Sequence, residues 1–426
     1  MASSMLFKIT LIISLLAVAT AHRIFAPPST STGSNASTGS NVFDVTKYSA
    51  STSASASANS KAFTDAFKGA CAFKDRSILL VPPGIYQLGP VKFGGPCPCS
   101  HITFEIKGTL VAPQDVKAFS GPAWIEFDAL HGLVVEGGGV IDGQGQSAWE
   151  QHYNNKAISM RFMRCVTGRI TNLTFKNSKF FHIAFHHSQG IIIDNLKIRA
   201  PCNSKNTDGI HLSSSSNMTL NNLDIGTGDD CISIGPGTYN VTITGCKCGP
   251  GHGFSIGSLG KFKNEDNVGN IHVKNCSITG TSNGLRIKTW PGAPPSEAYN
   301  ITFEDVFLNN VSYPIIIDQK YCPNQKCTTN QPSQVKLHDI TFCRIKGTSN
   351  TPVAVKLDCS EKAPCQNVKL QDISLQPLTS VVPKISSLCS NVLGAVMGTQ
   401  KPDPCLIPHA GRSRKNTTSS VSSYAK

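Results

Sequence analysis

Helical periodicity is what this chain most lacks. Beyond one short N-terminal stretch, no run of useful length repeats its apolar residues every three or four positions, which excludes a helical architecture. Leucines are too sparse for leucine-rich repeats. After residue 21 no apolar stretch is long enough to span a bilayer. Aromatic residues make up 7% of the chain and are not interleaved with basic ones, and no basic amphipathic helix occurs, so nucleic acid and membrane are poor partners. No close pair of cysteines is matched by a His/Cys pair at zinc spacing, so neither a metal nor a cofactor is expected. Nor does a linker interrupt the chain between about residues 102 and 376.

What fills that region is a repeat. The pattern Asn/Asp-apolar-x-apolar recurs as Asn172-Leu173-Thr174-Phe175, Asn195-Leu196-Lys197-Ile198, Asn222-Leu223-Asp224-Ile225, Asn275-Cys276-Ser277-Ile278, Asp305-Val306-Phe307-Leu308 and Asp372-Ile373-Ser374-Leu375. Gly245-Cys246-Lys247-Cys248 occupies the slot between the third and fourth. Each unit reads as two or three short strands with alternating apolar residues, such as Val241-Thr242-Ile243, separated by Gly, Asn and Ser turns. A β-rich repeat of roughly this length buries its inward side chains on the next copy. The sequence therefore predicts an all-β, single-domain, right-handed parallel β-helix, with the recurrent Asn stacked as a ladder at a turn. An amphipathic helix over Lys61 to Cys71 would cap the open N-terminal end.

Residues 1–21 carry the marks of a secretory signal: Lys8, the apolar run from Ile9 to Val18, and the small-x-small site Ala19-Thr20-Ala21. Residues 22–41 form a low-complexity polar linker, 42–406 the β-helix, and 407–426 a basic polar tail. The mature protein is expected to be exported, and 16 cysteines suit an oxidising compartment. Short loops favour the pairs Cys231–Cys248, Cys322–Cys327, Cys359–Cys365 and Cys389–Cys405, with Cys71 joined to Cys97 or Cys99. Cys165, Cys246, Cys276 and Cys343 stand at apolar positions and read as buried thiols. Sequons at Asn35, Asn217, Asn240, Asn300, Asn310 and Asn416 are candidate glycan sites, those inside the repeats being turn residues first. The formal charge of +13 fits an acidic polysaccharide in an anionic matrix.

Four segments carry the chemistry: Asn206-Thr207-Asp208, Gly228-Asp229-Asp230, Gly251-His252-Gly253 and Arg286-Ile287-Lys288, about 21 to 34 residues apart. That spacing is close to one coil, so their side chains are expected to stack in one cleft at multiples of about 4.8 Å. Carboxylates on neighbouring coils cannot all ionise freely, which leaves a proton donor beside a base. Glycoside hydrolysis needs that pair. Arg286 offers a planar fork and Lys288 a point charge, which suits a uronate better than a neutral sugar. Gly226 and Gly228 allow the bend that Asp229 and Asp230 need to act together, and Gly251 and Gly253 are expected to bring backbone close to a sugar.

In these four segments the chain resembles the polygalacturonases, pectin-cleaving β-helical glycoside hydrolases, over about residues 42 to 406. The resemblance implies an inverting mechanism in which Asp229 is the general acid, Asp208 and Asp230 activate water, and His252 supports protonation of the acid. It also implies that Arg286 and Lys288 hold the galacturonate carboxylate, with Asn206 and Tyr321 at the substrate. The stretches Arg161-Phe162-Met163, Gly257-Ser258-Leu259-Gly260 and Lys288-Thr289-Trp290-Pro291-Gly292 are most similar to plant enzymes, particularly exo-acting ones of the pollen type. A secreted, monomeric cell-wall enzyme is the corresponding expectation. Endo action, a calcium-dependent lyase and a non-catalytic pectin-binding wall protein are the alternatives. Ser49-Ala50-Ser51-Thr52-Ser53 departs from the family's glycine-rich stretch near the N-terminal cap.

Overall fold

The computed structural model describes residues 41–99, 101–150, 156–323, 327 and 329–406. The signal, the tail, the sequons at Asn35 and Asn416 and all of the linker except Asn41 lie outside them. Parallel strands wind into two long sheets, of 18 and 11 strands, in which each strand pairs with its counterpart one coil away. This is the all-β parallel solenoid that the repeat predicts. The described residues belong to one compact unit. No helix among them is long and apolar enough to cross a membrane.

The recurrent Asn sets the corner of each coil. Asn172, Asn195, Asn222, Asn275, Asp305 and Asp372 all have φ between 51° and 54°, in the left-handed region that Asn, Asp and Gly tolerate best. Gly245 takes the same place with φ 67°. Arg344 also takes it, at φ 52°, where the sequence pattern shows no Asn. Its guanidinium forks onto Asp305, at 2.6 and 2.8 Å, and also meets Glu304, contacts that offset an unfavourable backbone. Because the chain turns at a single residue, strands such as Val268–Thr279 and Ser296–Val311 run through the corner instead of stopping there.

A second left-handed column contains Asn217, Asn240, Asn270 and Asn300. Their amides bond down the column, Asn240 to Asn217 at 3.1 Å, Asn270 to Asn240 at 2.9 Å and Asn300 to Asn270 at 2.8 Å. Three sequon residues are thus ladder residues. Inside the coils, Phe93, Phe127, Phe162 and Phe185 stack with centroids 5.4, 5.2 and 4.7 Å apart. Contacts of this kind add about 0.5–1.5 kcal/mol each beyond area burial. In-register stacking of like on like fixes the coil-to-coil alignment on which the site depends.

The capping helix spans Ala56–Ala72 and buries Phe63, Ala66, Phe67 and Ala70. It begins ahead of Lys61 because Ser55 caps it, the hydroxyl accepting from Ala58 N at 3.2 Å. The small, polar first turn carries no amphipathic signal, yet Asn59 is buried there and ties Ser51 to Gln87. Cys71 pairs with Cys97, and the four short-loop disulfides form as expected. Cys165, Cys246, Cys276 and Cys343 are buried free thiols.

Candidate active site

Four adjacent strands of the 11-stranded sheet build the site: Ile210–Ser213, Ile232–Ile234, Phe254–Leu259 and Asn283–Thr289. Their register places Ile210, Ile232, Phe254 and Leu285 side by side, all facing inward. Two residues before the first three of these stand Asp208, Asp230 and His252. The coil mate of Asp208 is therefore Asp230, and Asp229 protrudes from the turn ahead of it. One residue further along, His211, Ser233, Ser255 and Arg286 form an outward-facing row.

The turn at 226–230 depends on glycine for close backbone approach. A Cβ at Gly228 would lie 2.1 Å from the carbonyl oxygen of Ser204. Gly251 and Gly253 have a different task from the one expected of them. Their positive φ values, 145° and 79°, seat them against neighbouring coils, where a Cβ would meet Asp229 O at 2.5 Å and Asn283 O at 2.2 Å. They pack protein on protein.

Asp230 is the most heavily compensated of the three carboxylates. Its Oδ1 accepts from Ser255 Oγ at 2.8 Å and Arg286 Nη2 at 2.5 Å, and its Oδ2 accepts from Lys288 Nζ at 2.9 Å. Burial opposes its charge, but Arg286 and Lys288 overcome that and hold the carboxyl well below the usual range. Asp208 is buried with one bond from Ser233 Oγ at 2.6 Å. Burial, followed by the charges of Asp229 and Asp230, raises it well above the usual range. Asp229 is the most accessible, with 19% of its side chain exposed. Its Oδ1 accepts from Asp230 N at 2.8 Å and lies 3.0 Å from His252 Nδ1, while its Oδ2 accepts from Asn206 N at 3.2 Å.

Tyr321 closes the site beside the cations. Its ring lies 5.1 Å from Lys288 Nζ and 6.0 Å from Arg286 Cζ, and it meets Trp290 edge-on at 5.8 Å. Asn206, Asp208, Asp229, Asp230, Lys288 and Tyr321 line one cleft of about 630 Å³, with His252 and Arg286 bonded to its carboxylates. All eight residues singled out in the sequence are brought together. One wall is the loop from Lys261 to Asp266, which overhangs the cleft and bonds back through Asp266 O to Gly237 N at 3.2 Å.

Oxygen and nitrogen atoms of Asp229, Asp230 and His252 lie within 4.8 Å of one another. They are a poor fit to a divalent cation, because Asp230 is already saturated by two fixed cations that would repel it.

Several supporting residues escaped the sequence reading. Ser233 and Ser255 orient Asp208 and Asp230. His182, fully buried, has Nδ1 3.1 Å from Asp208 O and accepts from Ser178 N through Nε2, so it pins the Asp208 backbone. Burial pushes it down to about 4, so it stays neutral. The signal was present as spacing: Asp208/His211, Asp230/Ser233 and His252/Ser255 each stand three apart.

Known proteins share this chain's sequence and fold. The profile of glycosyl hydrolases family 28 matches residues 71–398. The chain is 44% identical over 369 residues to an exopolygalacturonase of Platanus acerifolia, covering 85% of this chain and 97% of that protein. It is 46% identical over 355 residues to a polygalacturonase of Gossypium barbadense, covering 82% of this chain and 86% of that one. Among solved structures, the endo-xylogalacturonan hydrolase of Aspergillus tubingensis superposes with a TM-score of 0.71 at 26% identity, covering 84% of this chain and 99% of that one. The polygalacturonase of Erwinia carotovora superposes at 0.68 with 25% identity, covering 86% and 99%. With the family profile and both relatives matching along most of its length, the chain belongs to glycosyl hydrolases family 28.

Proposed function

We propose that this protein hydrolyses the galacturonosyl linkages of polygalacturonate in the cell wall, outside the cell, by an inverting acid/base mechanism. The observation that carries the reading is the carboxylate trio set against a buried Arg286–Lys288 pair, an arrangement that recognises an anionic sugar and cleaves it by proton transfer. Asp229, the most accessible carboxyl and the one touching His252, donates to the glycosidic oxygen. Asp230, ionised by its cations, and Asp208, turned by Ser233, hold the attacking water on the other side, and Asp208 takes its proton.

Asp208 and Asp229 then work as a pair that carries one proton, on Asp229 before bond cleavage and on Asp208 after it. Asp208, raised by burial and by the charges of Asp229 and Asp230, is the stronger base toward the attacking water. Tyr321 and Asn206 flank the sugar, and Arg286 and Lys288 present donors to its carboxylate.

Exo action is favoured by the names of several relatives, exopolygalacturonases from Platanus acerifolia, Oenothera organensis and Zea mays. Product analysis on polygalacturonic acid is the test. Monomer alone from the first minutes, with inverted anomeric configuration, is the expected result. A mixed ladder of oligomers would overturn exo action, and unsaturated, ultraviolet-absorbing products would overturn hydrolysis itself.

A further inference from the structure

His211 lies outside all four motifs, yet it stands in the row of site side chains between the carboxylates and the rest of the cleft wall. Its Nδ1 is 2.8 Å from Ser233 Oγ, and that same hydroxyl is 2.6 Å from Asp208 Oδ2. The ring is stacked on Phe181 at 4.7 Å and lies 5.9 Å from the His186 ring. The charges facing it are Asp230 and Lys288 on the neighbouring strands, with Asp208 beyond Ser233. Lys261, Lys263, Glu265 and Asp266 face the same cleft from the overhanging loop. Burial, then His186, pushes the imidazole down to about 3, so a lasting imidazolium is excluded at working pH.

With both bonds kept and any Asp208 proton on Oδ2, a hydroxyl between two such groups has two consistent hydrogen-bond patterns. With Asp208 ionised, Ser233 donates to Oδ2, and His211 must carry its proton on Nδ1 to donate to Oγ. With Asp208 protonated on Oδ2, that proton is donated to Oγ, the serine hydroxyl turns to Nδ1, and His211 carries its proton on Nε2.

We propose that His211 and Ser233 are positioning residues that wire Asp208 to water in the cleft, so that the His211 tautomer is coupled to the protonation of Asp208 and changes each time a proton passes along the wire in either direction. Both directions balance: in loading, Nε2 takes a proton from cleft water, Nδ1 passes its own to Ser233 Oγ and the serine proton passes to Asp208 Oδ2, and discharge is the reverse. The Oδ2 proton passes to Ser233 Oγ, the serine proton passes to His211 Nδ1, and the Nε2 proton leaves to water in the cleft. Asp208 is again ionised and His211 again neutral, with its proton on Nδ1. Asp229 likewise stands beside His252, so each carboxyl of the working pair has its own imidazole. The wire rests on geometry, and its use in turnover, setting the ionisation of Asp208 before water attacks, rests on the proposed hydrolysis.

The test uses the full protein labelled with ¹⁵N at its histidine rings, with His211 assigned by comparison with His211→Gln. Across the titration of Asp208 the Nδ1 and Nε2 signals of His211 should exchange character without passing through imidazolium, and this exchange should vanish in Ser233→Ala and Asp208→Asn. Turnover of polygalacturonate by Ser233→Ala should fall about 10-fold with KM unchanged and an altered pH profile, and Ser233→Thr, which restores the hydroxyl, should recover most of the rate. A His211 tautomer that stays fixed across pH, or a Ser233→Ala variant with wild-type turnover and pH profile, overturns the wire. A tautomer exchange in a protein that leaves polygalacturonate uncleaved would sink the proposed substrate and leave the wire standing.

Discussion

Replacing Arg286 by alanine should do more than loosen substrate. The Arg286 side chain is 9% exposed, that of Asp230 2% and that of Lys288 7%, so the three form a charge cluster shielded from solvent. At an effective dielectric constant near 20, each contact of Asp230 with a cation is worth on the order of 6 kcal/mol in gross Coulomb energy. Desolvation offsets most of that, but removing one partner leaves the other charge stranded, which costs about 3–5 kcal/mol. Lys288 at 2.9 Å and Ser255 at 2.8 Å still serve Asp230, so the lower end, about 3 kcal/mol, applies. Urea unfolding of wild type, Arg286→Ala, Asp230→Asn and the double variant at pH 7 should show a coupling of about 2 kcal/mol or more. The pH dependence has a definite sign. Asp230 is depressed in the folded protein, so its contribution is present above the unfolded carboxyl value of about 3.9 and is lost as pH falls below that. The gap between wild type and Arg286→Ala should narrow in the same direction. Single-variant losses that add to within about 0.5 kcal/mol would refute the cluster. A constant gap from pH 7 to pH 3 would refute its electrostatic origin.

Asp229→Asn should lower kcat by about 10²-fold or more while leaving the unfolding curve unchanged, because the partners of Asp229 are two backbone amides and a partly exposed His252; near-wild-type turnover would remove it as the acid. The rate against pH should be bell-shaped with an acidic optimum, falling on the alkaline side as the raised carboxyl of Asp208 completes the ionisation of its pair with Asp229, so an alkaline optimum would contradict the shared-proton reading. Asp208→Asn should abolish turnover yet stabilise the fold at pH 7 by on the order of 1 kcal/mol or more. A carboxyl raised by folding supports stability only at low pH and opposes it once ionised, so this gain should disappear below about pH 4; a gain that does not change with pH would count against it.

The repeat was legible because its corner residue is a backbone requirement. A left-handed turn at a fixed place in each coil selects Asn, Asp or Gly, and Gly245 reveals the slot even without an amide. Arg344 was not legible, since its place depends on ion pairs with Asp305 and Glu304 from the preceding coil. Likewise, the first turn of the capping helix is held by Asn59 reaching two distant carbonyls, which no local periodicity reports.

Residue chemistry at coil-length spacing was enough to set the fold, the cleft and six of the residues that meet there, while Asn206 and Tyr321 were implied by the family resemblance. Stacking at one coil per repeat converts spacing along the chain into proximity in space, so little tertiary information was needed to assemble them. What the tertiary structure decided was how the charges divide. Three aspartates of one residue type sit in three environments: Asp230 between two buried cations, Asp208 buried against a serine, and Asp229 at the edge beside an imidazole. Burial and hydrogen-bond direction are properties of the packed coil, and they alone hold one carboxyl as an anion, raise the second and leave the third facing the cleft.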